Sequence, residues 1–570
     1  MVDKDQSPEE EKKDFGELLV EGSFISPEEL EHVRQVADSS NKKLTEVLIE
    51  EELINSDTLA TILSLQYNVP AVDLRHVQIQ PAAIALVPEN VAREHQVLAL
   101  SVDGDDLTIA IEDPENLWTL DTLAKVTQKR IKPVIPLGMS IIDAIGSHYR
   151  LTSQIEKQIS DVVQHAEKKG GLPEQFLATD AVKAAPIVQA VGMLLSQAVK
   201  DRASDIHIEP ESEHLRVRYR IDGVLHEVLR LPLGVHTALM TRIKVLANLN
   251  IAERRRPQDG QFSITIGDRP VDFRVACIET DYGEMAVLRV LDKSMLVLKL
   301  EDLGMSPSML EPFQKLLQSA FGMILVSGPT GSGKTTTLYS SLSQLDAKGR
   351  NIMTVEDPIE YRFAGINQIQ VNRQAGIEFA TGLRAIMRLD PDIILVGEIR
   401  DTETANTAVQ AALTGHLVLT SVHANDAASA VVRLIDMGIE PFLITSAVIG
   451  SLSQRLVRKV CTYCTSDKKA SSAEVVAYQQ EMGEERTQFR YGRGCNFCSH
   501  TGFLGRVGVY ELLTMSEPIR KMIMQGASAA ELKVAAESEG MTNMRRDGMF
   551  KTRDGVTTVS EVLRNVFTIL

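Results

Sequence analysis

The chain has 570 residues, 44% hydrophobic and 24% charged, an ordinary balance for a soluble globular protein but too long for one core. A net charge of −17, a single Trp and 5% aromatics argue against wholesale binding to nucleic acid or anionic lipid, and against base stacking. No run of about eighteen uncharged apolar residues occurs, and the acidic start is no secretory signal, so a cytoplasmic location is expected.

Residues 1–14 are charged and predicted to be a disordered tail. Residues 15–70 read as a helical bundle with a partial repeat, Phe15-Gly-Glu-Leu-Leu-Val-Glu21 echoed by Leu44-Thr-Glu-Val-Leu-Ile-Glu50. Ser26 and Asn55 are placed to cap the helices that follow. From 71 to 150 the pattern changes to a small α/β subdomain. Val97–Ser101 and Leu107–Ile111 flank a turn at Asp103-Gly-Asp-Asp106, as in a hairpin. Residues 151–185 are polar and lysine-rich, a linker.

A first core lobe is expected at 186–300, opening with an amphipathic helix from Ile187 to Val199. In Leu215-Arg-Val-Arg-Tyr-Arg220 the alternation puts Arg216, Arg218 and Arg220 on one face of a strand. Two readings of that stripe stay open: a solvated face, or one turned to phosphate or to a neighbouring subunit. Cys277, alone in a strand-like run, reads as a small core residue.

Residues 301–460 carry the strongest signal. Gly328, Pro329, Thr330, Gly331, Ser332, Gly333, Lys334 and Thr335 satisfy G-x-x-x-x-G-K-[ST]. The buried-strand run Met323–Ser327 precedes them and a helix opens at Thr336. Glycines let successive N–H groups turn toward a phosphate, and the helix N-terminus adds a favourable field. Lys334 would reach the β/γ-phosphates and the Thr335 hydroxyl would ligate Mg²⁺, so the chain is expected to bind ATP. Asn351–Pro358 and Asp392–Glu398 read as buried strands ending in acids, and Leu417–His423 as a third ending in histidine. In an open parallel sheet, ligands sit beyond such carboxyl ends.

At 461–500, Cys461-Thr-Tyr-Cys464 and Cys495-Asn-Phe-Cys498 form two CxxC pairs thirty residues apart, the pattern of a tetrahedral Zn²⁺ lobe. Redox-active pairs and four free thiols are the rival readings; no thioredoxin-like unit surrounds either pair. Gly492 and Gly494 supply freedom before the second pair. Residues 501–570 read as a helical C-terminal region.

With these motifs in view, the chain resembles the secretion ATPase superfamily, in particular motors of type IV pilus assembly (extension) and type II secretion, over about residues 60–570. The resemblance rests on the loop 328–335, the acidic box Glu356-Asp-Pro-Ile-Glu360, the atypical Walker B run Ile393–Glu398, and the histidine box from Thr414 through His416 to His423. Asp205-Ile-His-Ile-Glu209, Arg256-Pro-Gln-Asp-Gly260 and the four cysteines add to it. It implies an α/β multidomain fold: a RecA-like core preceded by a PAS-like α+β lobe and an N-terminal helical plus α/β regulatory domain, with a zinc-binding insert. It further implies a homo-hexamer acting on an inner-membrane platform protein and its cytoplasmic adaptor. By the same resemblance Glu356 orients or deprotonates the attacking water, and Glu398 supports Mg²⁺ through water. Which of the two is the base stays open. His416 and His423 would sense the γ-phosphate or the neighbouring lobe. The phosphate loop itself shows no arginine, so Arg274 and Arg289 are expected to bring charge from the first lobe.

Three departures stand out. Gln261 follows Gly260 where relatives often have arginine, and Leu389 stands where glutamine is common. In the N-terminal repeat, Asp14 replaces an arginine, and Thr45 and Glu52 replace glycines, of the pattern by which some relatives bind cyclic di-GMP. Aspartate repels phosphate and side chains block backbone approach, so cyclic di-GMP binding is not expected. A nucleic-acid translocase or DNA-uptake motor of the same RecA-like class is the alternative function. A scaffold without turnover is disfavoured by the retained Lys334, Glu356 and Glu398.

Overall fold

The structure, a computed structural model, describes residues 15–149 and 185–566, apart from 23, 41–43, 45, 46, 49, 50, 52, 68, 78, 139, 267, 268, 293–297 and 499. The expected tail 1–14, nearly all of the linker 151–185, and Asp14, Thr45 and Glu52 lie outside the described residues. By contact the chain divides into two units. One holds the N-terminal region with Cys461–Thr465 and Gly492–Gly502; the other holds the rest.

In the first unit, helices Phe15–Glu21, Pro27–Ser40 and Ser56–Tyr67 gather around Leu19, Val33, Leu48 and Ile54. The expected caps form: the Asn55 carboxamide accepts from the Thr58 amide at 2.8 Å, and Ser26 and Glu29 exchange hydrogen bonds. Four strands follow, β1 (Ala71–Asp73), β2 (Val97–Asp103), β3 (Asp106–Ile111) and β4 (Arg130–Leu137), in spatial order β1-β4-β3-β2. β2 and β3 are the expected antiparallel hairpin, and the other pairings are parallel.

The second unit opens with a helix, Ala185–Lys200, slightly longer than the periodicity suggested. Strands β5 (Ala203–Pro210), β6 (His214–Ile221), β7 (Val224–Pro232), β8 (Gln258–Ile266), β9 (Arg269–Thr280) and β10 (Gly283–Asp292) form an antiparallel sheet in the order β7-β6-β5-β10-β9-β8. Leu215, Val217 and Tyr219 point inward and are fully buried, and the Tyr219 hydroxyl donates to the Leu194 carbonyl of the opening helix at 2.7 Å. The arginine stripe on the other face of β6 is neutralised across the strand. Arg216 pairs with Glu209 and Glu211, Arg218 with Glu209 at 2.7 Å, and Arg220 with Asp205. The stripe and the Asp205–Glu209 motif are thus two halves of one charge ladder.

The seven-stranded sheet comprises β11 (Gly322–Ser327), β12 (Ile352–Glu356), β13 (Asn367–Gln370), β14 (Ile393–Val396), β15 (Leu417–Val422), β16 (Val448–Val460) and, beyond the small pair β17 (Thr465–Lys469) and β18 (Gln488–Gly492), β19 (Phe503–Thr514). Its order is β13-β12-β14-β15-β11-β16-β19, parallel except for β16 against β19. β11, β12, β14 and β15 are buried at every position, as strands covered on both faces must be. Alternate residues divide between two cores: Met323 and Leu325 face one, Ile324 and Val326 the other.

Two expectations are corrected here. The region 501–570 is not all helix, because its first part is the edge strand β19, whose buried run Val509–Leu513 completes the sheet. Nor is 461–500 one lobe. Its two cysteine loops belong by contact to the first unit, while the helix Ser472–Met482 packs through Tyr478 with Val559 and Val562 in the second. No helix among the described residues is long and apolar enough to cross a membrane.

Candidate functional site: a phosphate loop with strand-end carboxylates

The phosphate loop leaves the carboxyl end of β11 and enters the helix Lys334–Gln344 through Gly333, whose φ of 90° only glycine takes without strain. Gln454 of β16, 1% exposed, anchors the loop from behind. Its Nε2 donates to the Ser332 carbonyl at 2.7 Å, and its Oε1 accepts from the Thr337 hydroxyl at 2.7 Å. A Cβ at Gly328 would stand 2.4 Å from the Gln454 carbonyl oxygen, so the loop and β16 require glycine where they meet. Lys334 Nζ turns onto the Gly328 and Pro329 carbonyls at 2.8 and 3.1 Å. Burial depresses its pKa, and the nearby Glu398 opposes this. The buried Ser332 hydroxyl has no partner among the described residues. A lysine folded back on its own loop and an unsatisfied hydroxyl fit a polyphosphate, which would satisfy both. Thr335 lies exposed in the first helical turn, where a Mg²⁺ ligand is needed.

The two acids differ in environment. Glu356, at the end of β12, is 4% exposed, and both its oxygens are occupied. Oε2 accepts from the Tyr339 hydroxyl at 2.5 Å; Oε1 accepts from Thr354 at 2.5 Å and Gln368 at 3.1 Å. Glu398, two residues beyond β14, pairs with Arg400 at 2.5 Å and lies 3.7 Å from His423 Nε2. The turn carrying it is tied down by the Ser421 hydroxyl on the Gly397 carbonyl at 2.8 Å. Burial first, then the positive charge of Lys334, hold the His423 pKa below its ordinary value.

The structure separates the two histidines. His423 follows the carboxyl end of β15, level with Ser327 and the phosphate loop in the β11–β15 register. His416 precedes Leu417 at the opposite end, where its carbonyl accepts from the Gly322 amide and its Nδ1–H donates to the Ala411 carbonyl. The six-residue strand between them is roughly 20 Å long at about 3.3 Å per residue, so His416 does not meet the phosphate loop of its own chain.

Arg274 and Arg289 are cross-strand neighbours on β9 and β10, but neither lines the cavity at the phosphate loop. Arg274 makes a two-pronged pair with Glu360 of the acidic box at 3.0 and 2.7 Å, and Arg289 pairs with Asp205 at 3.3 Å. Together with Gly260 and Gln261 they border a separate groove of about 530 Å³. The cavity of about 180 Å³ that does include Pro329–Ser332 is lined instead by Arg455, Arg458, Arg506 and Arg564 with Asp222 and Glu561. Positive charge therefore flanks the loop from strands and a helix distant in sequence. Polar residues interrupting the buried run of β16 (Ser451, Ser453, Gln454) were the one signal in the sequence that this strand has a task besides packing.

The four thiols converge. Their sulfurs lie within 4.8 Å of one another, with Cys461–Cys495 and Cys464–Cys498 at 3.9 Å and Cys495–Cys498 at 3.7 Å. Four Zn–S bonds of about 2.3 Å in a tetrahedron require S···S edges of about 3.8 Å, so the donor set fits Zn²⁺. A hydrogen bond with Cys461, then the Cys495 and Gly502 amides acting against burial, hold the Cys498 thiol below the ordinary thiol range. Gly492 is needed for close approach rather than flexibility: a Cβ there would stand 2.0 Å from the Gly502 carbonyl oxygen.

A parallel sheet with a phosphate loop after a central strand, acids after two neighbouring strands and a lysine at the helix entrance defines a phosphate-loop ATPase. Comparison with known proteins narrows this. Residues 180–564 match the family described as "Type II/IV secretion system protein", and residues 67–155 match the MshEN domain. The chain is 41% identical over 559 residues to the type IV pilus assembly ATPase PilB of Myxococcus xanthus, covering 97% of this chain and 98% of the relative. It is 48% identical over 393 residues to the type II secretion system protein HxcR of Pseudomonas aeruginosa, covering 69% of this chain and 80% of that one. Among solved structures, the Yersinia pseudotuberculosis ATPase DotB superposes with a TM-score of 0.50 at 21% identity, over 67% of this chain and 92% of that one, a likeness of fold. The chain belongs to the type II/IV secretion ATPase family and is an ATPase.

Proposed function

We propose that this chain is a cytoplasmic homo-hexameric motor that uses ATP hydrolysis to drive assembly of a type IV pilus or a type II secretion pseudopilus. It would act against an inner-membrane platform protein and its cytoplasmic adaptor. The observation that carries the reading is the complete phosphate loop with Glu398 and His423 at the ends of neighbouring strands. Relatives named for both machines support the class of work done. The six-stranded antiparallel sheet with its two helices, Ala185–Lys200 and His236–Leu246, supports a PAS-like reading of the first lobe.

Within the site, the loop amides and Lys334 hold the β/γ-phosphates and Thr335 offers its hydroxyl to Mg²⁺. The bound Mg²⁺ supplies charge that neutralises the phosphate oxygens. Glu398 is the stronger candidate for handling the attacking water, because it lies beside Lys334 and His423, whereas both oxygens of Glu356 are turned to Tyr339, Thr354 and Gln368. Glu356 instead braces Tyr339 and Gln368, and through them the acidic box. Arg274 and Arg289 supply charge only if lobe closure exchanges Glu360 and Asp205 for phosphate, a movement that would transmit hydrolysis between subunits. Cyclic di-GMP is not proposed as a ligand, on the residues Asp14, Thr45 and Glu52.

The test is Mg²⁺-dependent phosphate release by purified protein, abolished in Lys334→Ala. Undiminished turnover in that variant would overturn the site, and turnover that rises only with DNA would favour the translocase alternative.

A further inference from the structure

The residues between the cysteines are not required for metal binding, since a four-thiolate site draws only on the thiols. Here they have other contacts. Tyr463 and Phe497, the third residue of each CxxC, lie with ring centroids 4.1 Å apart and pack against the core formed by Leu74, Leu98, Val134 and their neighbours in the N-terminal subdomain. Asn496 adds direction: its amide donates to the Arg75 carbonyl at 3.2 Å, and its Nδ2 donates to the Val77 and Leu74 carbonyls at 3.0 and 3.4 Å. An aromatic pair beside a three-pronged backbone contact has the composition of a specific interface, with apolar area for affinity and a carboxamide for register. The loops bearing these residues are also continuous in the chain with the sheet that holds the phosphate loop. Cys461 directly follows β16, which carries Gln454, and Gly502 directly precedes β19.

We propose that the tetracysteine is the docking surface for the N-terminal α/β subdomain, residues 71–149, with Tyr463, Asn496 and Phe497 as its contact residues. The two CxxC loops are separated by thirty residues; the Arg493 amide on the Cys464 carbonyl and the Cys461 amide on the Gly502 carbonyl join them, and one ion gripped by both completes the hold on Tyr463 and Phe497 as a single surface. The loops that the subdomain meets continue in the chain directly into β16 and β19. This is independent of the motor reading, because it concerns how the chain is assembled rather than what it moves.

The experiment is hydrogen exchange on the full-length zinc-loaded protein, with each perturbation read on the opposite side of the contact. Val77→Asp leaves the cysteine loops unaltered and should speed exchange in 493–498, including the Asn496 amide, by about tenfold or more, with zinc content unchanged. Tyr463→Ala combined with Phe497→Ala should do the same to 71–77, and stripping zinc from the wild type should reproduce that effect. If the double variant loses its metal, the Val77→Asp arm still decides. Unchanged exchange at 493–498 in Val77→Asp, or unchanged exchange at 71–77 after zinc removal, overturns the proposal.

Discussion

Replacing Gln454 by Leu tests whether the phosphate loop is shaped from behind by β16. The substitution keeps most of the side-chain volume and removes two hydrogen bonds of 2.7 Å. It strands the Thr337 hydroxyl, 1% exposed, and the Ser332 carbonyl inside the loop. Each unpaired buried group costs about 1–3 kcal/mol, and the added apolar contact returns part of that, leaving a net loss of about 2–4 kcal/mol. The share borne by the loop appears as lost pre-organisation. If half or more of it falls there, ATP affinity drops roughly 5- to 30-fold or further, at about 1.4 kcal/mol per tenfold. The remainder appears as a lower Tm. Titration with ATP, a melting curve and steady-state kinetics separate the two: KM should rise while kcat at saturation changes little, because Gln454 lies behind the loop. Gln454→Glu sharpens the test. A carboxylate still accepts from Thr337 but cannot donate to Ser332, whereas its protonated form can, so affinity should recover as pH falls. Wild-type affinity together with a wild-type Tm in Gln454→Leu would refute the reasoning.

Glu398→Gln should bind ATP normally yet hydrolyse it at least about a hundredfold more slowly, the scale of general-base removal; loss of nucleotide binding would mean the residue holds the ligand instead. Cys495→Ser should take zinc from one per chain to none and lower the Tm, with ATP affinity little changed; elemental analysis and a melting curve check both, and a metal-free wild type with an intact fold would favour free thiols. His423 has a depressed folded-state pKa, so the unfolded chain takes up its proton first as pH drops below about 6.5. Stability should therefore fall through that window and level off beneath it, and His423→Gln should flatten that part of the Tm-against-pH profile.

Local chemistry sufficed for some of this. A glycine loop between a buried strand and a helix has one geometry available, so the turn from Gly328 to Thr335 between β11 and its helix was legible, as were the caps at Ser26 and Asn55 and the Asp103 hairpin turn. The pairing of four thiols was legible for the same reason: spacing and residue type nearly exhaust the requirements of a zinc site. What the sequence could not express was which distant segments meet. His416 and His423 are seven residues apart and looked like one motif, yet an extended strand carries them to opposite ends of the sheet. Arg274 and Arg289 looked available for phosphate until the fold set Glu360 and Asp205 against them. Gln454 and the arginines of β16 and β19 reach the phosphate loop only because an antiparallel edge pair closes the sheet beside it, a contact more than a hundred residues away in sequence. Periodicity and motif spacing report which way a side chain faces on its own element. Partners across elements are chosen by packing, and only the tertiary structure decided those.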